Sequence, residues 1–97
     1  MMFYVYIIEC FGKRNKKFHY VGYTNNLIRR FREHSSGKGA RFLKGKTNLF
    51  VLSFEIFSGQ KTAMRREIEI KRNKKLKHEL IRQAKRSERN DNDDMEI

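Results

Sequence analysis

Apolar residues cluster along this chain in short runs whose period changes from segment to segment. Phe3 to Glu9 is β-branched and aromatic and apolar on both faces, as a central strand would be. Gly12 to Lys17 is polar after a glycine and reads as a hairpin loop. Phe18 to Tyr23 is then expected to return antiparallel to the first strand. Thr24 or Asn25 caps a helix running to about Ser35, with Leu27, Ile28 and Phe31 as its packing face and Arg29, Arg30, Arg32 and His34 on the rest. A Gly/Lys-rich stretch, Ser36 to Asn48, follows. Leu49 to Phe57 reads as a third strand, with Phe50, Leu52, Phe54 and Ile56 on one face at period 2. Ser58-Gly59 breaks it. A helix over 60–72 places Met64 and Ile68 four apart as its apolar side. Asn73 interrupts, and a last helix from Lys74 to about Lys85 uses Leu76, Leu80, Ile81 and Ala84.

This order, β-β-α-β-α-α, predicts one α/β (α+β) domain over residues 1–86. Its three-stranded sheet is mixed or antiparallel and needs helices packed on it for stability. Residues 87–97 are expected to be an acidic, disordered tail. No internal repeat and no second domain is visible in the 97 residues.

Charge sharpens the picture. Residues 1–89 carry all 23 Lys and Arg against seven acids, a net +16, whereas Asp91, Asp93, Asp94 and Glu96 close the chain. Such a density attracts polyanions over a Debye length of about 8 Å at physiological salt. The cations are interleaved with core residues instead of forming one amphipathic stripe, which favours nucleic acid over a membrane surface. The apolar opening, Met1 to Ile8, is too short for a span and lacks the shape of a signal peptide. Cys10 is the single cysteine, so neither an intrachain disulfide nor a Cys-based zinc site can form, and a reducing cytoplasm is expected.

The acids are also informative. No Asp precedes Asp91, so a folded two-metal centre built on several aspartates is excluded. P-loop, dinucleotide-glycine and metalloprotease-helix signatures are absent. Any backbone-cleaving chemistry here must use few carboxylates. Tyr4-Val5-Tyr6 and Tyr20-Val21-Gly22 lie on strands expected to pair, where two tyrosines can share a face. Arg30 follows ten residues after Tyr20, and His34 is one helical turn beyond Arg30. His19, His78 and Cys10 read as structural.

At these residues the chain resembles the GIY-YIG nuclease family. Tyr4-Val5-Tyr6 stands for the first triplet, with Tyr4 where the family name has Gly, and Tyr20-Val21-Gly22 stands for the second. Asn26 to His34 matches the arginine helix, and Glu67 in Ala63-Met64-Arg65-Arg66-Glu67 matches the single metal-binding glutamate. The resemblance covers residues 2–85, and Ser36-Gly37-Lys38-Gly39-Ala40-Arg41 is similar to small stand-alone bacterial members. It implies a metal-dependent endonuclease acting in DNA repair or recombination, on DNA ahead of RNA. Tyr20 would be the general base or orient the water, Arg30 would bind the scissile phosphate, and Glu67 would hold one Mg²⁺ or Mn²⁺. Tyr6 would hydrogen-bond within the site, and His34 would relay a proton. A phenol of ordinary pKa, about 10, is a poor base at neutral pH, so Arg30 and the ion would have to favour the phenolate. Asn73 is the nearest match to an asparagine that some members place near the metal. Lys38, Arg41, Lys44 and Lys46, in a glycine-punctuated loop, are expected to contact phosphates. With no targeting domain in view, weak sequence preference or a protein partner that supplies targeting is expected. The alternative is a nucleic-acid-binding module that keeps the fold without turnover.

Overall fold

The structure is a computed structural model; it describes the backbone of residues 1–95 and the side chains of residues 1–87. Strands β1 (Phe3–Phe11), β2 (Lys17–Thr24) and β3 (Thr47–Phe57) and helices α1 (Leu27–Ser35), α2 (Gln60–Arg72) and α3 (Lys74–Met95) follow the expected order. The sheet is wholly antiparallel and ordered β2-β1-β3. The central position of β1 accounts for its two-sided apolar run, since Val5 to Cys10 are all buried. Val5 and Ile7 face α2 and α3, in a cluster with Ala63, Ile70 and Ile81. Tyr6, Ile8 and Cys10 face α1 and a 3-10 turn (Arg41–Leu43), in a cluster with Leu43, Leu27 and Phe31.

The β1–β2 ladder runs without interruption from Tyr4↔Thr24 to Phe11↔Lys17. Arg14 and Asn15 turn the hairpin in the left-handed region, each at φ 59°. The β1–β3 ladder is different. Ile7 pairs with Ser53 but Ile8 pairs with Val51, which leaves Leu52 as an extra residue. A second irregularity separates Glu9↔Phe50 from Phe11↔Thr47, and there Asn48 adopts φ 53°, a conformation that asparagine tolerates. These bulges break the single apolar face expected of β3. Leu52 joins the α2/α3 core, while Phe54 and Ile56 stay 51% and 52% exposed on the opposite face.

Both early helices differ from the expected faces. Asn26, not Thr24 or Asn25, caps α1: its side chain accepts from Arg29 N at 3.0 Å. Thr24 Oγ1 instead accepts from Asn26 N at 3.1 Å. Leu27 and Phe31 pack, but Ile28 points outward. In α2 the buried residues are Ala63 and Ile70, seven apart, and Met64 and Ile68 are exposed. Arg66 sits on the inner side because it forms a two-pronged bond to Glu55 of β3, Nε to Oε1 at 2.8 Å and Nη2 to Oε2 at 3.0 Å.

Asn73 ends α2, and its Oδ1 accepts from Leu76 N at 3.0 Å at the start of α3. The side chain that the resemblance offered to a metal is thus used as a helix cap. Helix α3 runs to Met95, past the Lys85 end that its apolar spacing suggests. The acidic tail expected over 87–97 lies largely outside the residues whose side chains are described. Two lysines tie α3 to the hairpin. Lys85 Nζ is 2.7 Å from Glu9 Oε1, and Lys77 Nζ donates to the His19 carbonyl at 3.1 Å. Glu9 also receives His19 Nε2 at 2.9 Å. Burial alone would raise the Glu9 pKa, but the bonds from Lys85 and His19 outweigh it and hold the carboxyl below its ordinary value.

The inner face of α2 can be tested by chemical denaturation. Ile70→Ala should cost about 2–5 kcal/mol of unfolding free energy through the cavity it leaves. Ile68→Ala, on the exposed side, should stay within about 1 kcal/mol. Equal losses would mean that the helix is rotated from its described position.

Candidate active site

The site begins with a pair of strand tyrosines. Tyr6 of β1 pairs with Gly22 of β2, and Tyr20 lies one pleat away on the same face. Their ring centroids are 6.4 Å apart. Gly22 is required sterically. A Cβ there would stand 2.5 Å from the Tyr6 hydroxyl oxygen and 3.1 Å from Tyr20 Cε2. The glycine of the second triplet is therefore the space into which Tyr6 leans.

Helix α1 brings two further side chains from one face, Arg30 and, a turn later, His34. His34 is buried and within 2.8 Å of the Tyr6 hydroxyl through Nε2. Its other ring nitrogen, Nδ1, accepts the Ala40 backbone N–H at 3.1 Å. That acceptor role leaves the proton of a neutral imidazole on Nε2, so His34 donates to the Tyr6 oxygen. The hydroxyl hydrogen of Tyr6 is then not spent on His34. Burial, then the charge of Arg30, hold the His34 pKa below its ordinary value, which keeps the ring in this neutral form. The approach of Ala40 depends on Gly39: a Cβ there would collide with the His34 ring and lie 2.9 Å from His34 Cα and N.

Tyr6 is pushed up to about 12, chiefly by burial and next by Tyr20. The Arg30 guanidinium acts in the opposite sense, and the Glu67 charge adds to the rise. All three named partners thus lie within electrostatic reach of one phenol. Arg30 Nη1 is bonded to Glu33 Oε1 at 3.0 Å. Glu67, on α2, has a side chain 17% exposed, with Lys71 Nζ 3.5 Å from its Oε1. Lys71 Nζ also lies 5.9 Å from the centroid of the Tyr20 ring. The two layers therefore meet at the open side of β2, and Glu67 stands on the same side of the molecule as Tyr20 and Arg30.

The loop cations divide into two groups. Lys38, Arg41 and Lys44 are exposed. Lys46 is committed to packing: its Nζ lies 4.8 Å from the Phe42 ring centroid and 5.0 Å from that of Phe18, and it donates to the Phe42 carbonyl at 3.2 Å. Three features escaped the pattern reading. Phe42 stacks on Tyr20 at 6.1 Å with 20° between planes; a lone aromatic in a cation-rich loop was its only signal. Ala40 acts through its backbone, which residue type cannot reveal. Lys71, one turn after Glu67, has a spacing that suggests no more than an ion pair with it, yet it also covers Tyr20. Among the described residues no group of three or more His, Cys, Asp or Glu side chains could hold a metal ion. No described helix is long and apolar enough to cross a membrane.

Two tyrosines from paired strands, an arginine helix and one carboxylate from the following helix define a class. The GIY-YIG catalytic domain matches residues 2–79, and the chain belongs to that family, whose domain is generally a nuclease domain. The relatives it is similar to are small proteins with names that state no activity. A UPF0213 protein of Staphylococcus haemolyticus is 44% identical over 77 residues, 76% of this chain and 89% of the relative. One from Haloquadratum walsbyi is 43% identical over 68 residues, 70% and 72% of the two chains. The solution NMR structure of the UPF0213 protein from Bacillus halodurans is 36% identical, covers 84% of this chain and 83% of its own, and superposes with a TM-score of 0.50.

The buried imidazole sets a pH dependence. Its folded pKa lies below that of the unfolded chain, so the unfolded state binds the proton first. The stability it contributes is complete above about pH 6.5 and is lost as pH falls through the folded value. His19 is depressed in the same direction, by burial against the opposing pull of Glu9. The urea midpoint should therefore fall between pH 7 and pH 5, and His34→Gln should flatten that fall. A wild-type slope in His34→Gln would assign the titration to another group.

Proposed function

We propose that this protein is an endonuclease that hydrolyses nucleic-acid phosphodiester bonds with the help of one divalent cation. The observation that carries the reading is the convergence of Tyr20, Arg30 and Glu67 around the buried Tyr6 phenol. Phosphodiester hydrolysis needs a water relieved of its proton, a neutralised phosphate and help for the leaving oxygen. Tyr20 orients the attacking water or, as the phenolate that Arg30 and a bound cation would favour, accepts its proton. Arg30 exchanges Glu33 for the scissile phosphate and grips it through its planar fork. Tyr6 remains protonated at neutral pH and offers its hydrogen to the reacting group. His34, with both nitrogens engaged, holds Tyr6 in that orientation.

Glu67 fits a hard divalent ion. Its carboxylate is partly accessible, and Lys71 Nζ stands 3.5 Å from it, beyond hydrogen-bond distance. One carboxylate, waters and a substrate phosphate form a donor set that Mg²⁺ commonly accepts. GIY-YIG nucleases generally use divalent metal ions. Such an ion supplies charge neutralisation at the phosphate and at the departing 3′ oxygen. Lys38, Arg41 and Lys44 contribute phosphate contacts, which give affinity without reading bases; Lys46, held on Phe42 and Phe18, does not join them. We assign DNA ahead of RNA, repair or recombination as the setting, and targeting to a protein partner. A non-catalytic binding module is the second reading, favoured by the existing Arg30–Glu33 and Glu67–Lys71 pairs.

Supercoiled, linear, branched and single-stranded DNA, with RNA alongside, incubated with Mg²⁺ or Mn²⁺ separate the two readings. Cutting by the wild type should drop at least about a hundredfold in Tyr20→Phe, Arg30→Ala and Glu67→Gln, while Glu67→Gln still binds. Absence of cutting on every substrate selects the binding module. Equal nicking by wild type and Glu67→Gln would sink the one-carboxylate chemistry. With about six phosphates neutralised, affinity should fall about a thousandfold between 50 and 200 mM salt, and a flat response would remove the phosphate footprint.

A further inference from the structure

Beside the tyrosine pair, β2 and the two C-terminal helices form a trough whose lysines and arginine the chemistry above does not use. One cavity of about 240 Å³ is lined by His19, Tyr20, Val21, Phe42, Lys71 and Lys77. A second, of about 370 Å³, is lined by His19, Lys75, His78, Ile81 and Arg82. They share His19, so the trough leads from Tyr20 along β2 to α3. Val21 and Ile81 give it apolar patches, and cations supply most of its polar side chains.

We propose that this trough is a second phosphate-binding track, in which Lys75 and Arg82 of α3, with Lys71 and Lys77 beside Tyr20, hold the nucleic-acid backbone leaving the active site. The assignment rests on the reading of the substrate as nucleic acid. Lys75, His78 and Arg82 stand at i, i+3 and i+7, one face of a helix. At 1.5 Å per residue they span about 10 Å, roughly three nucleotides of a strand rising about 3.4 Å each. An extended polyanion matches that layout better than a compact ligand does, because the cations lie along two neighbouring cavities that share His19.

The acids near the track are already occupied. Glu79 pairs with Arg82 at 2.7 Å, Glu67 with Lys71, and Glu9 is buried against His19 and Lys85. Lys77 is turned inward onto the His19 carbonyl. Burial, then the charge of Lys74, lower its pKa; a phosphate alongside would favour its charged form. The exposed loop cations Lys38, Arg41 and Lys44 belong to the chain segment that carries Phe42. The active tyrosine therefore has a basic surface in the Phe42 segment and another on the α3 side. Phosphate contacts in both would fix the direction in which a strand crosses Tyr20.

The test is equilibrium binding of a fluorescent DNA by anisotropy in EDTA, from 50 to 200 mM KCl, with the full chain. The double variant Lys75→Ala/Arg82→Ala should raise Kd at least tenfold at 100 mM KCl and reduce the salt slope by about 1 to 2, with an unchanged thermal midpoint. Lys13→Ala/Lys61→Ala removes two exposed cations elsewhere and should change the slope by less than half as much. Equal effects of the two double variants, or none from Lys75→Ala/Arg82→Ala, would overturn the track. Loss of all salt-dependent DNA binding in the wild type would instead overturn the nucleic-acid reading itself.

Discussion

Tyr6 and His34 are each 2% exposed or less, and each is the other's hydrogen-bond partner. A buried polar group without a partner costs about 1–3 kcal/mol, so either residue alone would be a liability in this core. Together they join the central strand to the last turn of α1. The helix can then rotate very little about its axis, and Arg30, one turn earlier, is aimed at the same phenol. Gly22 and Gly39 serve this contact from opposite sides, one by leaving room for the phenol and the other by letting the chain close over the imidazole. Much of what is specific about the site follows from that one bond.

Charge is arranged with similar economy. The described residues leave no buried side-chain nitrogen or oxygen without a hydrogen bond. Glu9 and Glu55 are spent on joining layers, the first to Lys85 and His19 and the second to Arg66. Because the few acids of the folded region are paired, the uncompensated charge lies outside and is positive. A surface of this kind attracts polyanions from a distance, yet leaves orientation to individual contacts.

Element order and the β1–β2 pairing were legible because each element had a clean local signal: a two-sided apolar run for β1, a glycine-led polar loop for the hairpin, and Asn73 between the last helices. The strand and helix positions of Tyr6, Tyr20, Arg30 and Glu67 were legible for the same reason. What failed was facing. Phe54 and Ile56 looked like core because period 2 was extended through Leu52, where the strand gains a residue. Met64 and Ile68 looked like the inner side of α2 because hydrophobicity outweighed Arg66, whose inward position follows from a long-range bond to Glu55. His34 was visible as a helix residue, but its tautomer depends on the Ala40 amide, and a backbone donor leaves no trace in residue type.

The extra residue in β3 has a consequence for how much length the sheet can tolerate. The pairs on either side of it, Ile8↔Val51 and Ile7↔Ser53, are adjacent on β1. Excising Leu52 would bring Val51 and Ser53 into direct succession and heal the ladder without turning over a single downstream side chain. Most one-residue deletions in a strand invert everything beyond them. Here the insertion is a detachable graft that carries one leucine into the helical side of the core.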